Sequence, residues 1–323
     1  MKYLVTGVGG HTGTIVAHAL LAAGDQVRAI VRNQQTAEIW RAKGAEVLVL
    51  DLTDTRALTA ALRGVDGAYL LVPPAEGPGA DDAQNAIFQS ILSAVTTARP
   101  RHVVQLSSLA AQNPAQNHTQ LILSELERGL RDLTRTQRNL HITILRVGYL
   151  MENIGNLKEV IATGKLPGFI PPDRPVEMVA ASDIGILVAH LLREGGHGAE
   201  LIELSGRQYS LQDAADILSE WTGKTITPIA DMPRARQTTR SLRAVGANPV
   251  GAENHSALLW QHQLGAVVPR NEFTTYARGG EPDWDGPYRR LSATTRLRAM
   301  LCVTCKRSNI PKNGPPASAA YCA

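Results

Sequence analysis

No cysteine stands in the first 301 residues; Cys302, Cys305 and Cys322 are confined to the last 22. A disulfide framework for the main body is therefore excluded, which suits a reducing compartment. The "CVTC" pair has no second Cys/His pair at ligand spacing and no strand–helix setting, so neither a zinc site nor a redox motif is expected. No apolar run approaches the roughly 20 residues that span a bilayer. The N-terminus carries one lysine before a strand-like run, with no cleavage-site pattern. A cytoplasmic location with no membrane partner is the expectation. Residues 234–323 carry 13 Lys/Arg against 5 Asp/Glu, yet no helix-turn-helix, zinc-finger or heptad pattern accompanies them. Nucleic acid is not expected as a partner.

What is present is an alternation of short apolar runs with amphipathic segments. "KYLVTG" reads as a buried strand. "HTGTIVAHALLAAGD" then puts Val16, Ala19, Leu20 and Ala23 on one helical face, with Gly24 as its stop. "QVRAIVRN" and "AEVLVLDL" read as strands two and three. A helix entered through Asp54 turns Leu58, Ala61 and Leu62 inward. "GAYLLVPP" is strand four, closed by Pro73 and Pro74. A long helix over "DDAQNAIFQSILSAVTTA" aligns Ile87, Ile91 and Val95. Strand five is "RHVVQLSSL", the next helix aligns Ile122, Leu126 and Leu133, and "LHITILRVG" and "AELIELSG" are strands six and seven. This predicts an α/β, Rossmann-type doubly wound parallel sheet covered on both faces, with a smaller, partly irregular substrate-side domain.

The expected organisation is a dinucleotide-binding core over residues 1–148 and a mixed region over 149–235. Within the latter, 149–178 and 206–235 lie on the substrate side, and a helix and strand return to the core at 179–205. "YLMENIGNLKEVIATGKLPGFIPPDRP" has no clean period. "SDIGILVAHLLRE" is a helix capped by Ser182. "YSLQDAADILSEWTGK" is another, with Ser210 and Asp213 as a capping box, Gly223 after its end, and an apolar face of Ala214, Ile217, Leu218 and Trp221. Residues 236–323 read as a divergent basic tail, poorly ordered, whose lost periodicity fits a shifted reading frame or a divergent extension.

Chemistry concentrates at "GVGGHTG", where Gly7, Gly9, Gly10 and Gly13 follow a strand and open a helix. At Gly7, Gly10 and Gly13 the spacing is G-x-x-G-x-x-G. Bare backbone lets amides approach a pyrophosphate, and the positive end of a helix dipole favours that anion. Gly13 allows close helix–strand packing. No Gly-Lys-Ser/Thr follows, so this is not a Walker-type loop. An NAD site places Asp or Glu at the end of strand two; here Arg32 stands there, suited to a 2′-phosphate. NADP(H) is therefore preferred over NAD(H). Asp51, at the end of strand three, is placed either to accept from an adenine amino group or to start the following helix.

The ordered set of the glycine turn, "IVRN", "LDL", "LLVPP", "LSSL", "TILRVGYLMEN" and "ASDIG" resembles the NmrA-like branch of atypical short-chain dehydrogenases/reductases. That group includes bacterial quinone reductases, redox-sensing NADP(H) binders and dehydrogenases of secondary metabolism. The likeness runs from residue 1 to about residue 232. It implies that Gly7, Gly10, His11, Thr12 and Gly13 form the phosphate turn and that Arg32 takes the 2′-phosphate. By the same resemblance Asp51 and Leu52 touch adenine, Val72 and Pro73 lie along the ribose, and Ser107 and Tyr149 lie near the nicotinamide. Met151 and Asn153 would border the substrate.

The general acid/base pair of typical short-chain dehydrogenases, Tyr-x-x-x-Lys, is absent. No tyrosine lies between Tyr69 and Tyr149, and no lysine between Lys43 and Lys158. The lysine that ether- and isoflavone-reductase relatives place four residues before a helix acid is also missing, since Leu123 precedes Glu127 at that spacing. His118 remains as a candidate acid. A quinone needs less help from a proton donor than an unactivated ketone does. The expected partner is thus a small-molecule acceptor, quinone-like or a conjugated carbonyl, acted on by a monomer or homodimer. A non-catalytic NADP(H) sensor and an iminium-reducing dehydrogenase are the alternatives.

Overall fold

The computed structural model describes residues 1–75, 79–112, 118–154, 157–168, 172–206, 208–230 and 288–292. In chain order, the first half comprises β1 (Lys2–Val5), α1 (His11–Ala22), β2 (Gln26–Val31), α2 (Gln34–Ala42), β3 (Glu46–Val49), α3 (Thr55–Leu62), β4 (Gly67–Leu70), α4 (Ala80–Ala98), β5 (His102–Ser108), α5 (His118–Thr136) and β6 (His141–Val147). The remainder comprises β7 (Tyr149–Leu150), α6 (Leu157–Thr163), β8 (Lys165–Gly168), β9 (Val176–Val179), α7 (Ala181–Glu194), β10 (Ala199–Ser205), β11 (Gln208–Tyr209), α8 (Leu211–Thr222), β12 (Thr227–Ala230) and β13 (Tyr288–Ser292).

Eight strands form one sheet in the order β3-β2-β1-β4-β5-β6-β10-β13, and every pairing in it is parallel. This is the doubly wound α/β architecture expected from the apolar runs. Successive strand residues face opposite sides, and both sides are covered. Val5, Val31 and Val104 meet Leu20 of α1, Trp40 of α2 and Leu192 of α7 in one core. Leu4, Leu70 and Ile144 meet Leu58 of α3, Ile91 of α4 and Leu126 of α5 in the other. Burial on both faces is why these strands lack hydrophobic alternation.

The sequence pattern names no helix between the second and third strands, and the structure places α2 there. Only Ala37 and Trp40 of α2 are buried, too few to mark a period. Asn33 caps it by accepting from the Thr36 N–H at 2.9 Å. Asp54 caps α3, accepting from Ala57 N at 2.9 Å. The Ser210–Asp213 capping box closes in both directions, and Gly223 ends α8 at φ +67°.

One cap is corrected. Ser182 does not cap α7; the N-cap position is Ala180, which contributes no side chain. The carboxylate of Glu152 does this work, accepting from Ala181 N at 3.0 and 3.1 Å. A helix N-terminus favours an acceptor with negative charge, and this one arrives from a short 3-10 turn elsewhere in the chain.

Residues 149–230 contain more regular structure than their Gly/Pro content suggests. A three-stranded sheet (β11-β9-β7) and a two-stranded sheet (β12-β8) accompany α6 and α8. A third core joins them through Met151, Val160, Leu166, Met178, Ala214 and Leu218, with Ile217 and Trp221 packed on it. Of the 236–323 tail, residues 288–292 form β13, paired with β10 from Leu201↔Tyr288 to Ser205↔Ser292. The rest of that tail, including the three cysteines, lies outside the described residues. No helix among the described residues is long and apolar enough to cross a membrane.

Candidate functional site

The strand order reverses between β1 and β4, which both leave the sheet at the same edge. Ligands of open α/β sheets bind in the crevice at such a switch point. Here the Thr6 hydroxyl fastens the two strand ends together. It donates to Tyr69 O at 3.0 Å and accepts from Leu71 N at 3.2 Å. Tyr69, fully buried, bonds Thr12 of α1 through its hydroxyl at 2.9 Å, and burial drives its phenol well above the usual range.

The glycine turn crosses this crevice. Gly7 adopts φ +67°, and a Cβ on it would lie 2.8 Å from Leu71 Cδ2. A Cβ on Gly13 would sit 2.3 Å from Gly7 O, so α1 can approach β1 this closely only with glycine there. Gly10 is the extended N-cap residue, and its N–H closes the turn on Gly7 O at 2.9 Å. The first intrahelical bond of α1 runs from Thr14 N to Gly10 O at 3.3 Å. The N–H groups of His11, Thr12 and Gly13 therefore have no intrahelical acceptor. No side chain caps α1 and no acid stands in its first turn, so among the described residues no group of the protein's own competes for an anion there.

Arg32 projects exposed at the end of β2. Asp51 is held below the ordinary carboxylate range by the Thr53 N–H and hydroxyl, both donating to Oδ1 at 2.8 Å, with Arg32 adding a favourable charge. Its Oδ2 takes no bond among the described residues. Leu52 is buried under β3, while Val72 and Pro73 are half-buried beyond β4. The Pro73 carbonyl accepts from Gln84 Nε2 at 3.4 Å, and Gln84 in turn accepts from the Thr119 hydroxyl at 3.0 Å. Donor amides, a cation at the strand-two end and an acceptor at the strand-three end fit a phosphorylated dinucleotide.

The opposite half of the crevice is less open. Ser107 is only 3% exposed, and its hydroxyl donates to Glu127 in a very short hydrogen bond. Glu127 also receives Arg146 Nη2 at 2.6 Å and Nε at 3.1 and 3.2 Å, while Arg146 Nη1 lies 4.0 Å from Glu203. Committed inward, the Ser107 proton is not available to a ligand, and its oxygen can only accept. Ser108 points to the other side of the strand, is half-buried and accepts from Ala110 N at 3.2 Å, which leaves its O–H to donate. Neither Ser108 nor the Glu127–Arg146 pair is singled out by sequence. For the pair, the partners stand on different elements and the spacing carries no signal.

The four residues expected around the nicotinamide and substrate, Tyr149, Met151, Asn153 and His118, fall in different settings. Met151 is 1% exposed in the third core, so it packs there and does not face an open crevice. Asn153 is exposed, and its carbonyl accepts from the Tyr149 hydroxyl at 3.3 Å. Desolvation pushes the Tyr149 phenol up to about 12. This is the opposite of what the missing lysine would have done. His118 opens α5 with Nε2 at 3.4 Å from Asp81 O and 3.8 Å from Asp81 Oδ1. Among the described residues no group of three or more His, Cys, Asp or Glu could hold a metal ion.

The chain is similar to known proteins. Quinone oxidoreductase 2 of Escherichia coli is 27% identical over 231 residues, covering 69% of this chain and 75% of that protein. An NAD(P)H azoreductase of Xenophilus azovorans is 25% identical over 230 residues, covering 70% and 76%. The fold matches the crystal structure of Citrobacter sp. triphenylmethane reductase complexed with NADP(H) at a TM-score of 0.67 and 20% identity, over 84% of this chain and 93% of that one. The model of one family matches residues 1–234, the span that holds the glycine turn, the switch point and the third core: the chain belongs to the NmrA-like family.

Proposed function

We propose that this protein is an NAD(P)H-dependent oxidoreductase that prefers NADPH and delivers hydride to a quinone-like or conjugated carbonyl acceptor. The observation that carries the reading is the glycine turn at the switch point, with the first N–H groups of α1 taking no acceptor among the described residues and Arg32 where an NAD site would place an acid. Family membership and the quinone and azo reductases among the relatives support it. When bound, the nicotinamide supplies the hydride. The chain's own residues do the rest. His11, Thr12 and Gly13 hold the pyrophosphate through backbone N–H groups, and Arg32 pairs with the 2′-phosphate. Asp51 accepts from adenine, and the Ser107 oxygen accepts at the nicotinamide end. A quinone suits this site because its reduced anion needs no strong acid, and the phenol of Tyr149 is pushed away from acidity.

A different observation favours a second reading, a non-catalytic NADP(H) sensor: the Ser107 proton is committed to Glu127, and the Tyr–Lys pair is absent. Stopped-flow loss of nicotinamide absorbance with a panel of small quinones separates the two. Tight NADPH binding with no acceptor able to oxidise it overturns the enzyme and leaves the sensor. Paired titrations test the cofactor preference. Arg32→Ala should weaken NADPH by about 1–3 kcal/mol, the scale for losing a charge-assisted bond, and leave NADH little changed. Equal losses for both would remove Arg32 from the 2′-phosphate.

A further inference from the structure

Polar and charged residues stand in one row across the sheet. Ser107 of β5 is in register with Arg146 of β6, Arg146 with Glu203 of β10, and Glu203 with Arg290 of β13. Residues at even spacing along a strand share a face. Val103, Ile144 and Leu201 belong to the core beneath α3, α4 and α5, so Ser107, Arg146 and Glu203 lie on that side too. The same alternation puts position 290 on that face, beside Glu203.

This row is buried and charged. Ser107, Arg146 and Glu203 are 3%, 3% and 2% exposed, and Glu127, which reaches them from α5, is 4% exposed. Charges this deep persist only when paired and hydrogen-bonded. The Arg146 guanidinium serves both acids. Its Nη2 and Nε hold Glu127, the acid that takes the Ser107 proton, while Nη1 faces Glu203 at 4.0 Å. One guanidinium between two carboxylates leaves these three side chains with a net negative charge. The acid that is less well balanced draws Arg146 toward itself. The register brings a second arginine into the row, from a segment outside the span 1–234 that the family model matches.

We propose that Glu203 is a positioning residue through which β13 acts on Ser107. Arg290 balances the charge of Glu203 from the outer strand. Arg146 then stays forked on Glu127, and Glu127 keeps the Ser107 oxygen presented as an acceptor. The basic tail is thereby a working part of the candidate site. The inference rests on the dinucleotide reading above and adds to it a residue that the glycine turn does not reach.

The test is isothermal titration of the full chain with NADPH and with adenosine 2′,5′-bisphosphate, which lacks the nicotinamide, alongside thermal melts without ligand. Arg290→Ala should weaken NADPH several-fold and leave adenosine 2′,5′-bisphosphate as in the wild type. Arg290→Lys keeps the charge and should bind NADPH as the wild type does. Glu203→Gln added to Arg290→Ala removes the surplus charge and should restore NADPH binding. Where Arg290→Ala lowers the melting temperature, the same second substitution should raise it again. The inference is overturned if Arg290→Ala binds NADPH like wild type, or loses both ligands equally. A double variant no better than Arg290→Ala in binding and melting overturns it as well. A wild-type protein that binds neither NADPH nor NADH overturns the dinucleotide reading instead, and the melts of the single and double variants then decide whether Arg290 balances Glu203.

Discussion

Single residues in this chain act through partners that the sequence does not place beside them. His102 opens β5 at the sheet edge remote from the crevice, 2% exposed, with Nε2 bonded to the Thr143 hydroxyl at 2.9 Å. Burial, reinforced by His141 and His197, pushes its pKa down to about 4 from the ordinary 6.5. A depressed histidine stabilises the fold fully above the unfolded value, because the unfolded chain takes up the proton first. That contribution is lost as pH falls from 6.5 through 4, to a total of about 3 kcal/mol at 1.36 kcal/mol per pKa unit. Urea titrations from pH 7.5 to 4 should show His102→Gln with a flatter acid limb than wild type. Parallel limbs would mean that His102 carries none of the acid sensitivity. At this scale the sequence was legible where a residue's role is local. Gly7, Gly13 and Asp54 follow from their own backbone surroundings. Glu127, Arg146, Trp40 and Ser108 were not, because their roles come from neighbours that only the folded sheet brings together.

Elements were legible in proportion to how much of them is buried. β1, β4, β5 and β6 are covered on both faces and show as continuous apolar runs. α2 buries two side chains and has no visible period. The short elements of the smaller core take their order from packing around Met151, Leu166 and Met178, which no local propensity encodes. The start of α7 shows the same limit. A serine stands at a plausible cap position, but the cap comes from Glu152, far back in the chain. Glu152→Ala should therefore cost about 1 kcal/mol, the usual scale for a lost N-cap, while Ser182→Ala changes little. Chemical denaturation of the two variants side by side checks it, and the reverse order would return the cap to Ser182.

At the scale of the whole molecule, the parallel order β3-β2-β1-β4-β5-β6-β10-β13 is what makes a switch point between β1 and β4, and so what turns a glycine-rich turn into a binding crevice. Alternation of strands and helices announced that architecture. The eighth strand was not announced, since Tyr288–Ser292 lies in a basic stretch that reads as irregular. It covers the outer edge of β10. A chain ending at residue 235 keeps the pairing of β10 with β6 but removes β13 from its outer edge, and an open strand edge templates association. Such a truncation should bind NADPH through the intact glycine turn, yet form concentration-dependent aggregates in light scattering. A monodisperse truncated protein would show that β13 is dispensable to the edge.

The position of β13 also has a meaning in time. A ribosome delivers residues at about 5–20 per second, and β10 is complete at Ser205 while its neighbour begins only at Tyr288. For several seconds of each synthesis the nascent sheet is finished on one flank and bare on the other. During that interval the outer edge of β10 is open to association with other chains.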